Sequence, residues 1–131
     1  MFDRIVSKLE NPAGGFEYSS EDVQSAVAAL YYHMIAVDGV VRFAELERLQ
    51  RVLKKQFNLN DEQVHDLMKR GRSSDSESPG LFPFTVVLNR QMDVEKRRDV
   101  LKHLTSLARA DGHKHPLEID LLDNIGELLK V

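Results

Sequence analysis

The chain of 131 residues contains no cysteine. Disulfide frameworks, thiolate nucleophiles and cysteine-ligated zinc or iron–sulfur centres are therefore excluded. A long hydrophobic run is missing as well. The longest, Ala26 to Val37, is interrupted by His33 and falls short of the about twenty residues that span a bilayer. The opening segment, MFDRIVSKLE, carries Asp3, Arg4, Lys8 and Glu10 where a secretory leader would have its apolar core. The expectation is a cytoplasmic chain with no direct membrane insertion. Positive charge is not in excess: Lys+Arg is 18 against Asp+Glu 21, a formal charge of −3. General nucleic-acid binding depends on neutralising phosphates, so nucleic acid is excluded as a partner. The zinc motif H-E-x-x-H, the P-loop, the G-x-S-x-G elbow and the G-x-G-x-x-G fingerprint are all absent. No stretch alternates with period two long enough to make a strand.

What is present is helical periodicity in a chain that is 42% hydrophobic and 30% charged. That composition and length suit one globular domain, residues 1–131, with a core of its own. Phe2, Ile5, Val6 and Leu9 form the stripe of a short first helix, broken by Pro12, Gly14 and Gly15. Ser19 or Ser20 caps a second helix, apolar on nearly every side and therefore central to a bundle. A third follows on Leu46, Leu49, Val52 and Leu53. Asn60 and Gln63 form a capping box for a fourth, which buries Val64, Leu67 and Met68. From Gly71 to Gly80 the polar, Ser-rich run GRSSDSESPG reads as a mobile surface loop. Pro83 suits the first turn of a short helix. Asp93 caps the next, with Val100, Leu101, Leu104 and Ala108 inside. Pro116 opens the last, with Leu121, Leu122, Ile125, Leu128 and Leu129 on its inner face. The fold class is all-α, with about seven helices.

One element occurs twice. Asp38-Gly39 and Asp111-Gly112 each close an apolar helix, and each is followed at the same spacing by a glutamate, Glu45 or Glu118, giving D-G-x5-E. Two copies in one helix–turn–helix context point to a pseudo-symmetric pair of helical hairpins. An EF-hand is rejected, because its first and third loop positions hold Met34 and Ala36, or Leu107 and Arg109. Two readings stay open. In the architectural one, Gly39 and Gly112 stop helices at positive φ, and Glu45 and Glu118 sit near the third position of theirs. In the other, Asp38, Glu45, Asp111 and Glu118 hold a divalent cation. It is supported by two aspartates placed against the negative ends of their helix dipoles, an arrangement costing about 0.3–1 kcal/mol unless compensated. All-oxygen ligands suit calcium or magnesium, and neighbouring histidines leave zinc or manganese open.

These motifs resemble the TerB-like domain of bacteria, the helical domain of tellurite-resistance proteins, which also occurs at the N-terminus of some membrane-anchored J-domain co-chaperones. The residues that carry the likeness are Ala36-Val37-Asp38-Gly39 with Glu45, Leu46 and Leu49, and Ala110-Asp111-Gly112 with Glu118, Leu121 and Leu122. Phe84 to Asn89, Glu95, Arg97-Arg98 and the opening Met1 to Arg4 extend it over nearly the whole chain. The resemblance implies an all-α domain of two related halves, an acidic site for divalent metal and a link to tellurite or other stress. The chain departs from the pattern where relatives carry a second acid just before the glutamate: Ala44 and Leu117 stand there. Val37 replaces a common alanine, and His113, Lys114 and His115 make the second loop less negative.

The remaining polar residues read more plainly. His33 lies alone on an apolar helix and suits a core or boundary position hydrogen-bonded to backbone. His65 and His103 read as surface residues, and His113 and His115 as part of a solvated loop. Arg48, Arg51, Lys54 and Lys55 form one basic face and Lys96, Arg97 and Arg98 a second cluster, both solvated by default. Tyr31 and Tyr32 are packing residues of the central helix. No carboxylate spacing outside the repeat marks an acid/base pair, so the chain reads as a non-enzymatic module. It binds a divalent cation in stress response, or it is a helical interaction module with an unidentified protein partner and purely structural Asp-Gly turns.

Overall fold

The structure is a computed structural model that describes residues 19–78, 80–108 and 116–131. Six α-helices are described: α1 (Ser20–Ala36), α2 (Phe43–Phe57), α3 (Asp61–Glu77), α4 (Phe82–Gln91), α5 (Val94–Ala108) and α6 (Pro116–Leu129). Among the described residues there is no strand. The expected first helix on Phe2, Ile5, Val6 and Leu9 lies outside the described residues. No described helix is long and apolar enough to cross a membrane.

The helix starts are written in the sequence. Ser19 Oγ accepts the Asp22 N–H at 3.2 Å, and the Asp22 carboxylate accepts the Ser19 N–H at 3.0 Å. Asn60 and Gln63 make the same reciprocal pair for α3 at 2.8 and 2.9 Å. Asp93 accepts the Lys96 N–H at 2.9 Å at the start of α5. Pro83 falls in the first turn of α4, where a missing N–H costs nothing. Asn58 ends α2 in the left-handed region at φ 53, a conformation asparagine tolerates better than most residues.

α1 is the axis of the fold. Ala26 to Tyr31, Met34 and Ile35 are all buried, and α2, α3, α4 and α5 pack around them. The surrounding helices contribute the stripes their periodicity announced. Leu49 and Leu53 come from α2, Val64 and Leu67 from α3, and Val100, Leu104 and Ala108 from α5. Leu121, Ile125 and Leu129 come from α6. α6 reaches the bundle through α4 and α5. Its last carbonyls are tied down by side chains. Asn89 Nδ2 donates to Leu128 O at 2.8 Å, and Arg97 Nη1 donates to Leu129 O at 2.8 Å and to Asn89 Oδ1 at 3.2 Å. Arg97 is thus a structural clamp, not part of a solvated basic cluster.

The run from Gly71 to Gly80 is not a surface loop over most of its length, because α3 continues to Glu77. The reason is tertiary. Gly71 and Ser74 are buried and face α1 at its closest crossing. A Cβ on Gly71 would stand 2.7 Å from Ala28 Cβ and 2.8 Å from its carbonyl carbon. Small side chains are what allow the two backbones to meet. His33 Nδ1 and Asp75 Oδ1, 2.7 Å apart, close the same contact. His33 therefore bonds a carboxylate on the neighbouring helix rather than backbone.

Candidate functional site

The first Asp-Gly turn follows directly from the end of α1. Val37 closes the helix, and the Gly39 N–H donates to Ala36 O at 2.9 Å. Gly39 then turns the chain at φ 83, a region where a side chain is strained. Asp38 faces the negative end of α1, and its carboxylate is compensated within the turn. Oδ1 accepts the Val40 N–H at 3.0 Å and Oδ2 accepts from Arg42 Nη1 at 3.2 Å. Glu45 is the third residue of α2, where a carboxylate meets the positive end of the dipole. Its Oε1 accepts the Arg42 N–H at 3.0 Å and lies 3.5 Å from Arg42 Nη1. Glu45 is almost fully buried and the Asp38 side chain largely so. The two carboxylates predicted at this turn are therefore brought together, and the group between them is the Arg42 guanidinium.

At the second turn, Glu118 occupies the same position in α6 as Glu45 in α2 and is likewise buried. Asp111 and Gly112 lie outside the described residues, as do His113 and His115. Among the described residues, no three or more His, Asp or Glu side chains come together in a group able to hold a metal ion.

A second polar arrangement lies elsewhere. Tyr31, fully buried in α1, donates its hydroxyl proton to Gln56 Oε1 at 2.6 Å. His103 Nδ1 lies 2.9 Å from the Tyr31 hydroxyl oxygen. With the tyrosine proton committed to Gln56, Nδ1 carries a hydrogen and donates it, which leaves Nε2 as the acceptor of the neutral ring. The rings meet edge to face, with centroids 6.0 Å apart. Burial pushes the Tyr31 phenol far above its usual range, against the lowering effect of the Gln56 bond, and the Asp99 charge pushes it further up. Burial also lowers the His103 pKa below 6.5; Asp99 opposes that shift and Lys55 adds to it.

His103 opens onto a groove of about 830 Å³ between α2 and α5. Arg48, Arg51 and Lys55 descend one side of it from α2, and Lys96 and Asp99 face them from α5. His103 is thus a half-buried groove residue, not a surface one, and the α2 basic face borders a cavity. Sequence reasoning missed this site. Its only local signal was the i, i+3, i+7 spacing of Arg48, Arg51 and Lys55, which marks one helix face but says nothing of what lies opposite.

The family model described as "Tellurite resistance protein TerB" matches residues 24–131. No curated protein and no solved structure matches the chain. The match takes in all of the α2–α6 architecture, both Asp-Gly turns and most of α1, and the described elements are all helices, as in that family's domain. On these grounds the chain belongs to the TerB family of tellurite-resistance proteins.

Proposed function

We propose that the chain is a non-enzymatic stress-response module of the tellurite-resistance type that works by docking a protein partner, with its Asp-Gly turns serving as architecture. The observation that carries this reading is the use the first turn makes of its own acids. Asp38 and Glu45 accept from the Val40 and Arg42 N–H groups and converge on the Arg42 side chain. Each bond answers a local need: an aspartate at a negative dipole end, and orphan donors at a helix start. The D-G-x5-E spacing follows from those needs without a metal. The absence of cysteine and of recognisable nucleophile and metalloprotease motifs supports binding rather than catalysis.

One observation favours a second reading. Asp38 Oδ2 and Glu45 Oε1 lie within 3.5 Å of one cationic nitrogen, so the turn already concentrates negative charge around a point. In that reading a divalent cation replaces the guanidinium, held by Asp38, Glu45, Asp111 and Glu118. Calcium and magnesium suit these oxygens, and zinc or manganese would draw on His113 or His115.

A titration separates the two. Metal-stripped protein is mixed with magnesium, calcium, manganese or zinc and followed by amide NMR and by melting temperature. The docking reading expects neither the turn amides nor the melting temperature to move at millimolar ion. Saturable shifts at both turns, with ligand-linked stabilisation, both lost in the Asp38→Asn/Asp111→Asn double variant, would establish the cation site instead.

A further inference from the structure

The groove between α2 and α5 combines two features that seldom coincide on a merely solvated face. Its rim is cationic. Arg51, Lys55 and Lys96 are exposed and make no ion pair among the described residues, while Arg48 donates to Ser106 Oγ at 3.0 Å. Among the described residues, Asp99 is the only acid lining it. Its floor is apolar, formed by Val23 of α1, Val52 and Phe57 of α2, and Met92 at the junction of α4 and α5. In an acidic chain of net charge −3, this local excess of positive charge runs against the whole.

From this geometry we infer that the groove receives an acidic amphipathic helix of the protein partner, its carboxylates on the rim cations and its aliphatic side chains on the floor. The inference rests on the docking reading above and names the face that docking uses. The length fits: Arg48 to Phe57 spans about 14 Å of helix axis, between two and three turns. A helix laid alongside would meet Arg48, Arg51 and Lys55 at successive turns, the anchor spacing of helix-in-groove recognition. The floor argues against a nucleic-acid strand, since among the described residues Phe57 is its single aromatic and offers no stacking platform. A free phosphate would engage the rim cations but leave the apolar floor of Val23, Val52, Phe57 and Met92 uncovered.

The probe is a synthetic helix of two to four turns with leucines at i, i+3, i+4 and i+7 and glutamates elsewhere, beside a twin with lysines for glutamates. Titrated into the full chain and followed by amide NMR, the acidic peptide is expected to shift groove residues of α2 and α5 saturably. Binding should weaken with salt. It should be at least about tenfold weaker for the Arg51→Glu/Lys55→Glu/Lys96→Glu variant, and unchanged for Lys69→Glu, an exposed position away from the groove. No saturable shift at millimolar peptide would overturn the inference, as would equal binding of the lysine twin. So would a dimer broken by the same charge reversals, which assigns the groove to a second copy. Contacts of Phe2 or Ile5 with Val52 and Phe57 in the free chain would assign it to the chain's own first segment. Metal titration of the same sample keeps the two proposals apart: ion-dependent shifts at the turns overturn the docking reading, whereas a silent peptide with silent turns overturns only the groove.

Discussion

Gly39 carries more of the first turn than any side chain in it. Its φ of 83 and the bond from its N–H to Ala36 O reverse the chain at the end of α1, and nothing lies within 4 Å of where a Cβ would be. Space is therefore not the constraint; backbone conformation is. Gly39→Val is expected to lower stability by at least about 1 kcal/mol, because a β-branched residue resists that conformation. An unchanged urea midpoint would show that the turn tolerates another path. This residue was legible in the sequence, since glycine directly after an apolar helix has few other uses. The Arg42 contacts were not. They depend on where the turn delivers a long side chain, which no spacing specifies.

At the scale of elements, α3 separates what periodicity reveals from what it hides. Its first half shows an apolar stripe, and its second half shows only glycine, serine and charge. The sequence reads that half as loop because small polar residues are common in loops. They are also what a close helix crossing requires, and Ala28, the residue that makes the crossing close, lies far away in the chain. The two helical glycines accordingly differ in sign. Gly71→Ala gains helix propensity yet drives a Cβ into the Ala28 backbone, and should destabilise by about 1–3 kcal/mol. Gly126→Ala meets nothing nearer than 3.6 Å and should stabilise by about 0.5–1 kcal/mol. Chemical denaturation of both variants tests the crossing: if Gly71→Ala were stabilising too, α1 and α3 would not meet as described. The groove was hidden for a related reason. Its two basic sides come from α2 and α5, and each alone looks like a solvated helix face.

For the whole molecule, the partly buried network of Tyr31, Gln56 and His103 makes stability depend on pH. Folding lowers the His103 pKa below 6.5, chiefly by burial, so the fold prefers the neutral ring. The contribution is whole above the unfolded value of about 6.5 and is lost as pH falls through the folded pKa. Unfolding free energies at about pH 8 and pH 5 should therefore differ more in the native chain than in His103→Gln, which cannot titrate. Identical pH dependence would mean that the ring is better solvated than its contacts indicate. The all-α class, the buried stripes and most caps follow from periodicity and cap chemistry alone. The pairing of His103 with Tyr31 joins residues of α5 and α1 that only the closed bundle brings together.

The central position of α1 has a consequence for biosynthesis. α1 precedes every one of its described packing partners in the chain, so its apolar surface leaves the ribosome before the helices that cover it. The last of them, α5, ends at Ala108, some 70 residues after Ile35. At about 5–20 residues per second, that leaves the central helix of the bundle incompletely covered for about 4–15 s. Nascent chains arrested before α5 should accordingly recruit holdase chaperones through the stretch from Ala26 to Ile35.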